Sequence, residues 1–352
     1  MRIAVVGGGP IGLYTSIALA KKGYHVDVFE KREWPVDKAC GQGIMNYGVE
    51  LLKKVGMAFE VSKEINGIKF IEDDGLELQG NFLKPVLGVE RKRLSDELFE
   101  LASNESNIKL HSHSKIESIA LNGNEALLSI NGSEHTFDYV FACDGLNSFV
   151  RDSLNLTLSR RGDLRRGARV HYKIKPWSNY VEVYWANGIE AYVTPVSNES
   201  VEIAYLWYDS RVDTGRDLKE RILRRFPKLE QKLKYGEELN DFKASPLFSK
   251  YSKKIRKGNI FFIGDSFYFL DGITGDGISL GLHSADIITK NFENFSKIEI
   301  LKINLAITKY WIYVKLLLFL SSKPSLRKKA IKLLKYNKSM FEILLNFKNA
   351  VF

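Results

Sequence analysis

The sequence predicts an α/β chain: an N-terminal β-α-β domain, interrupted by a mixed β-sheet domain and followed by a helical C-terminal tail. Three observations predict it. Residues 2–6 (RIAVV) read as a buried strand, "GGGPIG" follows at once, and residues 10–22 place Leu13, Ile17 and Ala20 on one helical face. Between 108 and 208 the apolar period is mostly two, with turn signals between the runs. From 277 onward the pattern is helical and ends rich in lysine.

Each element follows in order. "YHVDVFEK" (24–31) is a second strand ending on Glu30, which completes a β-α-β unit of about thirty residues. Residues 108–143 alternate in short runs broken by "LNGNE" and "INGSE", a β-meander before the strand "YVFAC". From 168 to 208 the period is again two, with an Asn187-Gly188 hairpin signal. Residues 214–235 look helical with a break near Pro227, and "NIFFIGD" returns to a buried strand.

Composition excludes several classes. The chain has 352 residues, 45% of them apolar and 27% charged, enough for a substantial core. Cys40 and Cys143 are the only cysteines and lack metal-ligand spacing, which argues against a disulfide scaffold and structural zinc and for a reducing, cytoplasmic setting. No metal site is expected. The start has no signal-like apolar stretch. Of the formal charge of +10, residues 321–352 carry +7, eight Lys/Arg against Glu342. The rest is nearly balanced, so no nucleic-acid-binding face is expected.

"GGGPIG" supplies Gly7-x-Gly9-x-x-Gly12 between a strand and a helix. Gly7 permits the tight turn, Gly9 lets a pyrophosphate approach, and Gly12 lets helix and strand pack; the phosphate then meets the helix N-terminus. Glu30, with Lys31 beside it, stands where a carboxylate accepts from an adenosine ribose. This is a Rossmann-type signature and does not by itself separate NAD from FAD.

Later segments do. "VERKRLSDEL" (89–98), "YVFACDGLNSFVR" (139–151) and "GDSFYFLDGITGDGI" (264–278) stand in the order of three motifs. In them the chain resembles the superfamily of FAD-dependent oxidoreductases that contains para-hydroxybenzoate hydroxylase and geranylgeranyl reductase. The resemblance spans most of residues 1–290. It implies FAD as cofactor, contacted by Arg91, by Asp144 and Gly145 of the second motif, and by Gly264 and Asp265, whose carboxylate would hold the ribityl chain. It also implies that Gly275, Gly277 and Ile278 lie along the isoalloxazine, with the following helix aimed at its pyrimidine edge. Asp271 and Asp276 could alternatively cap that helix. "DKACGQGIMNYGVELL" (37–52) resembles the C-G-x-G segment of the reductase branch, which would bring Gly41, Gly43 and Cys40 near the ring. Cys40 has a second reading as a small packing residue, and Cys143 reads as packing.

The resemblance divides the chain into an FAD domain (1–62, 85–155 and 256–300), a β-sheet substrate domain (63–84 and 156–255) and a basic helical region (301–352). Each branch loses one marker. Gly272 stands where the hydroxylases have proline, and "EAYVTPV" keeps Pro195 but has Tyr192 and Thr194 in place of Trp and Phe. Flavin halogenase markers are absent. The sheet bearing Tyr184, Tyr192, Pro195, Tyr205 and Trp207 is expected to roof the flavin's substrate face, an aromatic pocket for an apolar small molecule. Besides Cys40, Tyr192 and Gly275 are the flavin-adjacent candidates for the catalytic site.

The leading expectation is an NAD(P)H-using flavin monooxygenase, with isoprenoid double-bond reduction second and a non-catalytic flavin-bearing membrane-peripheral protein third. "LAITKYWIYVKLLLFL" (305–320) is too short and lysine-interrupted for a span. The tail after 321 has two readings: Ile331, Leu334, Phe341 and Leu345 face the core, or the tail lies on the anionic inner face of a membrane.

Overall fold

The computed structural model describes residues 1–38, 42–159, 165–213, 215–245 and 249–347. The strand Arg2–Val6 is central to a six-stranded sheet, parallel to His25–Phe29 on one side and to Tyr139–Ala142 on the other. Ile108–His111 and Ile260–Phe262 extend it in the same direction. Parallel strands are buried on both faces, which explains the unbroken apolar run at the N-terminus. Ile3 and Val5 pack under helices, while Ala4 and Val6 pack against the antiparallel meander of residues 116–137.

The helices are α1 (Pro10–Ala20), α2 (Asn46–Lys54), α3 (Arg91–Ser103), α4 (Phe149–Ser153), α5 (Leu218–Leu223), α6 (Pro227–Leu233), α7 (Gly277–Asn291), α8 (Lys297–Ser322), α9 (Pro324–Tyr336) and α10 (Lys338–Phe347). Helices α1, α2, α3 and α7 cover the open face of the parallel sheet. Pro227 begins α6, which is the break expected there.

A second, mixed sheet runs in the order 237–238, 165–173, 200–208, 189–195, 180–186, 63–71, 77–88 and 43–44, with 243–245 also pairing to 165–173. The Asn187-Gly188 turn joins Tyr180–Ala186 to Ile189–Pro195, as the hairpin signal predicts. One face of this sheet lies under α5 and α6, against Ile222, Phe226, Leu229 and Leu233. The other faces the parallel domain.

Helix α8 is longer than its apolar stretch, because Ser296 and Glu299 form a capping box that starts it early. At 26 residues it is long and apolar enough to cross a membrane by length and composition. Its inward stripe nevertheless belongs to the protein: Tyr310, Val314 and Leu318 pack with Trp185, Leu206, Leu270 and Ile273. Helices α9 and α10 dock on the hairpin 63–88. Arg327 donates to both oxygens of Glu72, at 2.5 and 2.9 Å, and to the carbonyls of Leu320 and Ser321. Asn346 accepts from the Leu83 amide and donates to the Asn81 carbonyl. A side chain at Gly80 would strike the Phe341 ring at 2.6 Å, so glycine permits the close approach of α10. Ile331 and Phe341 are buried, the core-facing arrangement.

Removing one partner of a buried pair leaves a charge without compensation. Replacing Glu72 by Ala should therefore lower unfolding stability by about 3–5 kcal/mol, read by urea denaturation. Glu72→Ala combined with Arg327→Met should recover part of that loss.

Candidate functional site

The turn after Arg2–Val6 can be made by glycine alone. Gly7 has φ +103°, and a Cβ there would meet the Cys143 carbonyl at 2.6 Å; at Gly12 it would meet the Gly7 carbonyl at 1.8 Å. Gly9 is the N-cap of α1 and leaves the first helical N–H groups facing a cavity. Glu30 is buried, accepting from the Gly8 amide at 2.8 Å and the Arg32 amide at 3.1 Å. A carboxylate has about four acceptor sites, so it retains capacity for a ribose hydroxyl.

Three segments converge on this cradle. Arg91 begins α3 and borders the same cavity with Glu30 and Lys31. Asp144 follows the strand Tyr139–Ala142; its Oδ2 accepts from the Val150 amide at 3.2 Å, while Oδ1 is buried and has no hydrogen-bond partner. Burial pushes its pKa up. An orphaned acceptor lining a cavity calls for a donor from a ligand. Buried Arg151 joins the 144–151 and 264–266 segments, donating to the carbonyls of Leu146 (2.6 Å), Asp265 (3.3 Å) and Ser266 (3.0 Å). Asp265 lines the cavity, its carboxylate 3.7 Å from the Lys38 ammonium.

The loop 271–277 is fixed from two sides. Arg165 pairs with Asp271 at 3.1 Å and with Glu190 at 2.5 Å, and Tyr192 donates its hydroxyl to the Ile273 carbonyl at 2.8 Å. Asp271 Oδ1 also accepts from the Ile273 amide, so Asp271 shapes the loop and does not cap a helix; Asp276 occupies the N-cap position of α7, but its side chain makes no cap hydrogen bond. Gly275 has φ +70°, a conformation side chains avoid, and a Cβ there meets no protein atom within 4 Å. At Gly277 it meets only Phe269, at 3.9 Å. The space in front of both glycines belongs to the cavity, which Ile278 also lines.

That cavity is about 900 Å³. It runs from the glycine turn past residues 272–278 to an inner chamber under the mixed sheet and α8–α10. Gly43 lines it; Cys40 and Gly41 lie outside the described residues. Gly12 and Gly264 act by packing instead: Gly264 has φ +64° and lies against Gly281 and Ile11. Burial raises the Cys143 thiol to about 12, which keeps it protonated.

The aromatic expectations need correcting. Tyr184 and Trp207 pack on the α5–α6 face, away from the chamber. Tyr205 borders the cavity, but its ring is turned to Phe226 and Phe242. Pro195 is not among the lining residues, whereas Tyr192 is. Strand alternation explains the swap: Ala191, Val193, Tyr205 and Trp207 share one face, and Trp185, Tyr192, Thr194, Ala204 and Leu206 share the other.

Sequence reasoning missed a polar cluster on the chamber wall. His171 accepts at Nδ1 from Arg169 (2.9 Å) and Asn240 (2.8 Å) and donates from Nε2 to Gln42 (2.9 Å). Burial and Arg169 lower its pKa, so the ring is neutral. Glu202 lies 3.7 Å from Nε2, buried without a hydrogen-bond partner and with its pKa pushed well up by burial. Gln42 Nε2 and Arg169 Nε are likewise unpartnered, and both residues line the cavity. The available signal was Arg165, Arg169 and His171 recurring on one face of an apolar strand. Among the described residues, no group of His, Cys, Asp and Glu is arranged to hold a metal.

The FAD binding domain family matches residues 1–291. The chain belongs to that family. It is thereby a flavoprotein of the para-hydroxybenzoate hydroxylase-like superfamily of FAD-dependent oxidoreductases. The unpartnered Asp144 oxygen, the glycine cradle and the free space before Gly275 and Gly277 fit FAD. Among curated relatives, it is 23% identical over 314 residues to conditioned medium factor receptor 1 of Dictyostelium discoideum, covering 80% of this chain and 61% of the relative. It is 23% identical over 351 residues to the FAD-dependent monooxygenase atnA of an Arthrinium species, covering 83% and 45%. With kynurenine 3-monooxygenase of Anopheles gambiae it shares 26% identity over 174 residues, 43% and 35% of the two chains. The chain thus spans about half the length of these relatives. A flavoprotein/dehydrogenase from Cytophaga hutchinsonii superposes with a TM-score of 0.80 at 16% identity, over 93% of this chain and 87% of that one. The flavin-dependent brominase Bmp2 superposes at 0.73 and 18%, over 95% and 94%. These structures share the fold.

Two substitutions test the cradle. Gly277→Val fits the protein but enters the space before the loop, and should weaken FAD retention tenfold or more while the unfolding midpoint stays near the parent's. Asp265→Ala removes a charge-assisted hydrogen bond of about 1.5–3 kcal/mol, and should release FAD on dialysis. Retention equal to the parent in both, by flavin absorbance, would place FAD elsewhere.

Proposed function

We propose that the protein is an NAD(P)H-using, FAD-dependent monooxygenase that hydroxylates an apolar or aromatic small molecule. The observation that carries this reading is the continuity of the cavity: one space joins the dinucleotide cradle to an inner chamber walled by Ile68, Phe70, Trp185, Leu206 and Leu317. Bound FAD supplies the redox chemistry, taking hydride from a nicotinamide and activating oxygen. Gly7, Gly9 and the α1 N-terminus would hold its pyrophosphate, Glu30 its adenosine ribose, and Asp144 and Asp265 its hydroxyl-bearing linker. The N-terminus of α7 borders the cavity at Gly277 and Ile278, and its N–H groups and positive dipole end would favour negative charge on the bound cofactor. The apolar walls exclude water, and Gln42 and Arg169 offer N–H donors to a polar group on the substrate. Relatives named as FAD-dependent monooxygenase and kynurenine 3-monooxygenase support the reaction class.

The chamber's aliphatic walls also suit a second reading, saturation of isoprenoid double bonds. Oxygen separates the two. With NADH or NADPH and a panel of aromatic and chain-like apolar compounds, the hydroxylase reading expects nicotinamide oxidation stimulated by its substrate, with label from oxygen-18 gas in the product. Saturation of an isoprenoid under argon, with no label taken up in air, would replace it.

A further inference from the structure

The family match ends at residue 291, and α8–α10 lie beyond it. These helices have two apolar sides. One faces the chamber through Leu317, Leu320, Ile331 and Leu345. The other is exposed: on α8, Leu301, Leu305, Ile312, Leu316 and Phe319 recur at three- to seven-residue steps, opposite the buried stripe of Ile303, Tyr310, Val314 and Leu318. Leu326, Leu333, Ile343 and Leu344 continue it on α9 and α10.

Residues 297–347 also hold eleven Lys/Arg against Glu299 and Glu342, a net +9 of the chain's formal +10. Lys302, Lys323, Lys329, Lys332 and Lys335 are exposed among the apolar side chains. An apolar ridge edged with lysine is complementary to an anionic lipid surface. The cavity reaches this surface: Leu316 and Leu344 line it and are 48% and 44% exposed. Between them the Tyr313 hydroxyl donates to the Leu344 carbonyl at 2.6 Å, bridging α8 to α10.

We propose that α8–α10 dock on an anionic bilayer, and that the gap between α8 and α10 at Leu316, Tyr313 and Leu344 admits a long-chain amphiphile from the bilayer into the chamber. The docking surface stands by itself; the admitted molecule's role as substrate rests on the function proposed above. Lipid chains would cover the exposed ridge, lysines would face headgroups, and the unpartnered groups of Gln42 and Arg169 would meet the amphiphile's polar part.

The test uses the full chain with FAD and vesicles of phosphatidylcholine with or without phosphatidylglycerol. It should sediment with phosphatidylglycerol vesicles at low salt and leave them as salt rises, because screening shortens the reach of surface charge. Ile312→Ser with Phe319→Ser should weaken sedimentation about tenfold or more, since each exposed apolar side chain contributes through burial in lipid. Flavin absorbance and unfolding midpoint should stay at parent values. A nitroxide-labelled stearate supplied in the vesicles should remain with the protein after vesicle removal, and be lost in Ala330→Trp or the milder Leu317→Phe, which fill the chamber. Absence of a phosphatidylglycerol preference, parental binding by the serine variant, or a dimer that vesicles leave intact would overturn the docking surface. Stearate left behind with the vesicles would overturn the gap as an entrance. Vesicle binding without NAD(P)H oxidation would refute the proposed reaction alone; oxidation without vesicle binding would refute the surface alone.

Discussion

The site depends on one buried guanidinium. Arg165 sits inside the protein with Glu190 and Asp271 against it, its face over the Tyr208 ring at 4.9 Å, and Glu190 also accepts from Ser321. Burial works against its charge, but Asp271 and Glu190 outweigh that and raise its pKa. Its three partners and the Ser321 that bonds Glu190 come from different places: the mixed sheet, the loop before α7 and the end of α8. A charge in a low-dielectric interior tolerates no loss of its partners, so the three elements are held in one arrangement. That arrangement sets the loop 271–277 opposite the glycine turn and seats α8 across the chamber.

The mixed sheet inverts the usual expectation for a pocket. Its aromatic and aliphatic face, with Tyr172, Tyr184, Tyr205 and Trp207, packs under α5 and α6 as ordinary core. Its ionic face, with Arg165, Arg169, His171, Glu190 and Glu202, turns inward to the cavity side. Buried polar groups are costly unless partnered, and most here are paired. Among those without a hydrogen-bond partner, Gln42 Nε2 and Arg169 Nε belong to cavity-lining residues, and Glu202 lies behind them beside His171. Polar groups left open beside a cavity mark the place where a ligand supplies what the protein does not.

Helices α8–α10 show how one segment meets several demands. Tyr310 fixes α8 by its hydroxyl to the Asp271 backbone, and Arg327 fixes α9 to Glu72 while lying over the Trp185 ring at 4.8 Å. These contacts carry the tail into the architecture of the site. The lysines stay at the surface because their long stems cover apolar area while the ammonium keeps its water.

The sequence by itself determined the parallel domain and the cofactor cradle, because their chemistry is local. Gly7, Gly12 and Gly275 are dictated by backbone crowding or positive φ within a few residues, and Glu30 ends a strand whose apolar pattern is unmistakable. In the mixed sheet the sequence shows the aromatic content but not its facing: it groups Tyr192 with Tyr184, Tyr205 and Trp207, which alternation places on the opposite face. It did not show which face meets the flavin site. That choice depends on α5 and α6 covering one side, and on pairs such as Arg165–Asp271 and Arg327–Glu72, whose members stand 106 and 255 residues apart. The sequence points to Tyr184 for the pocket, yet Trp185, its neighbour, lines it, because a one-residue change of facing reverses a strand's assignments. The tail was legible as helical and basic. Only packing decided that its inward stripe walls the chamber, because an apolar stripe records that something covers it and leaves the covering surface to the fold.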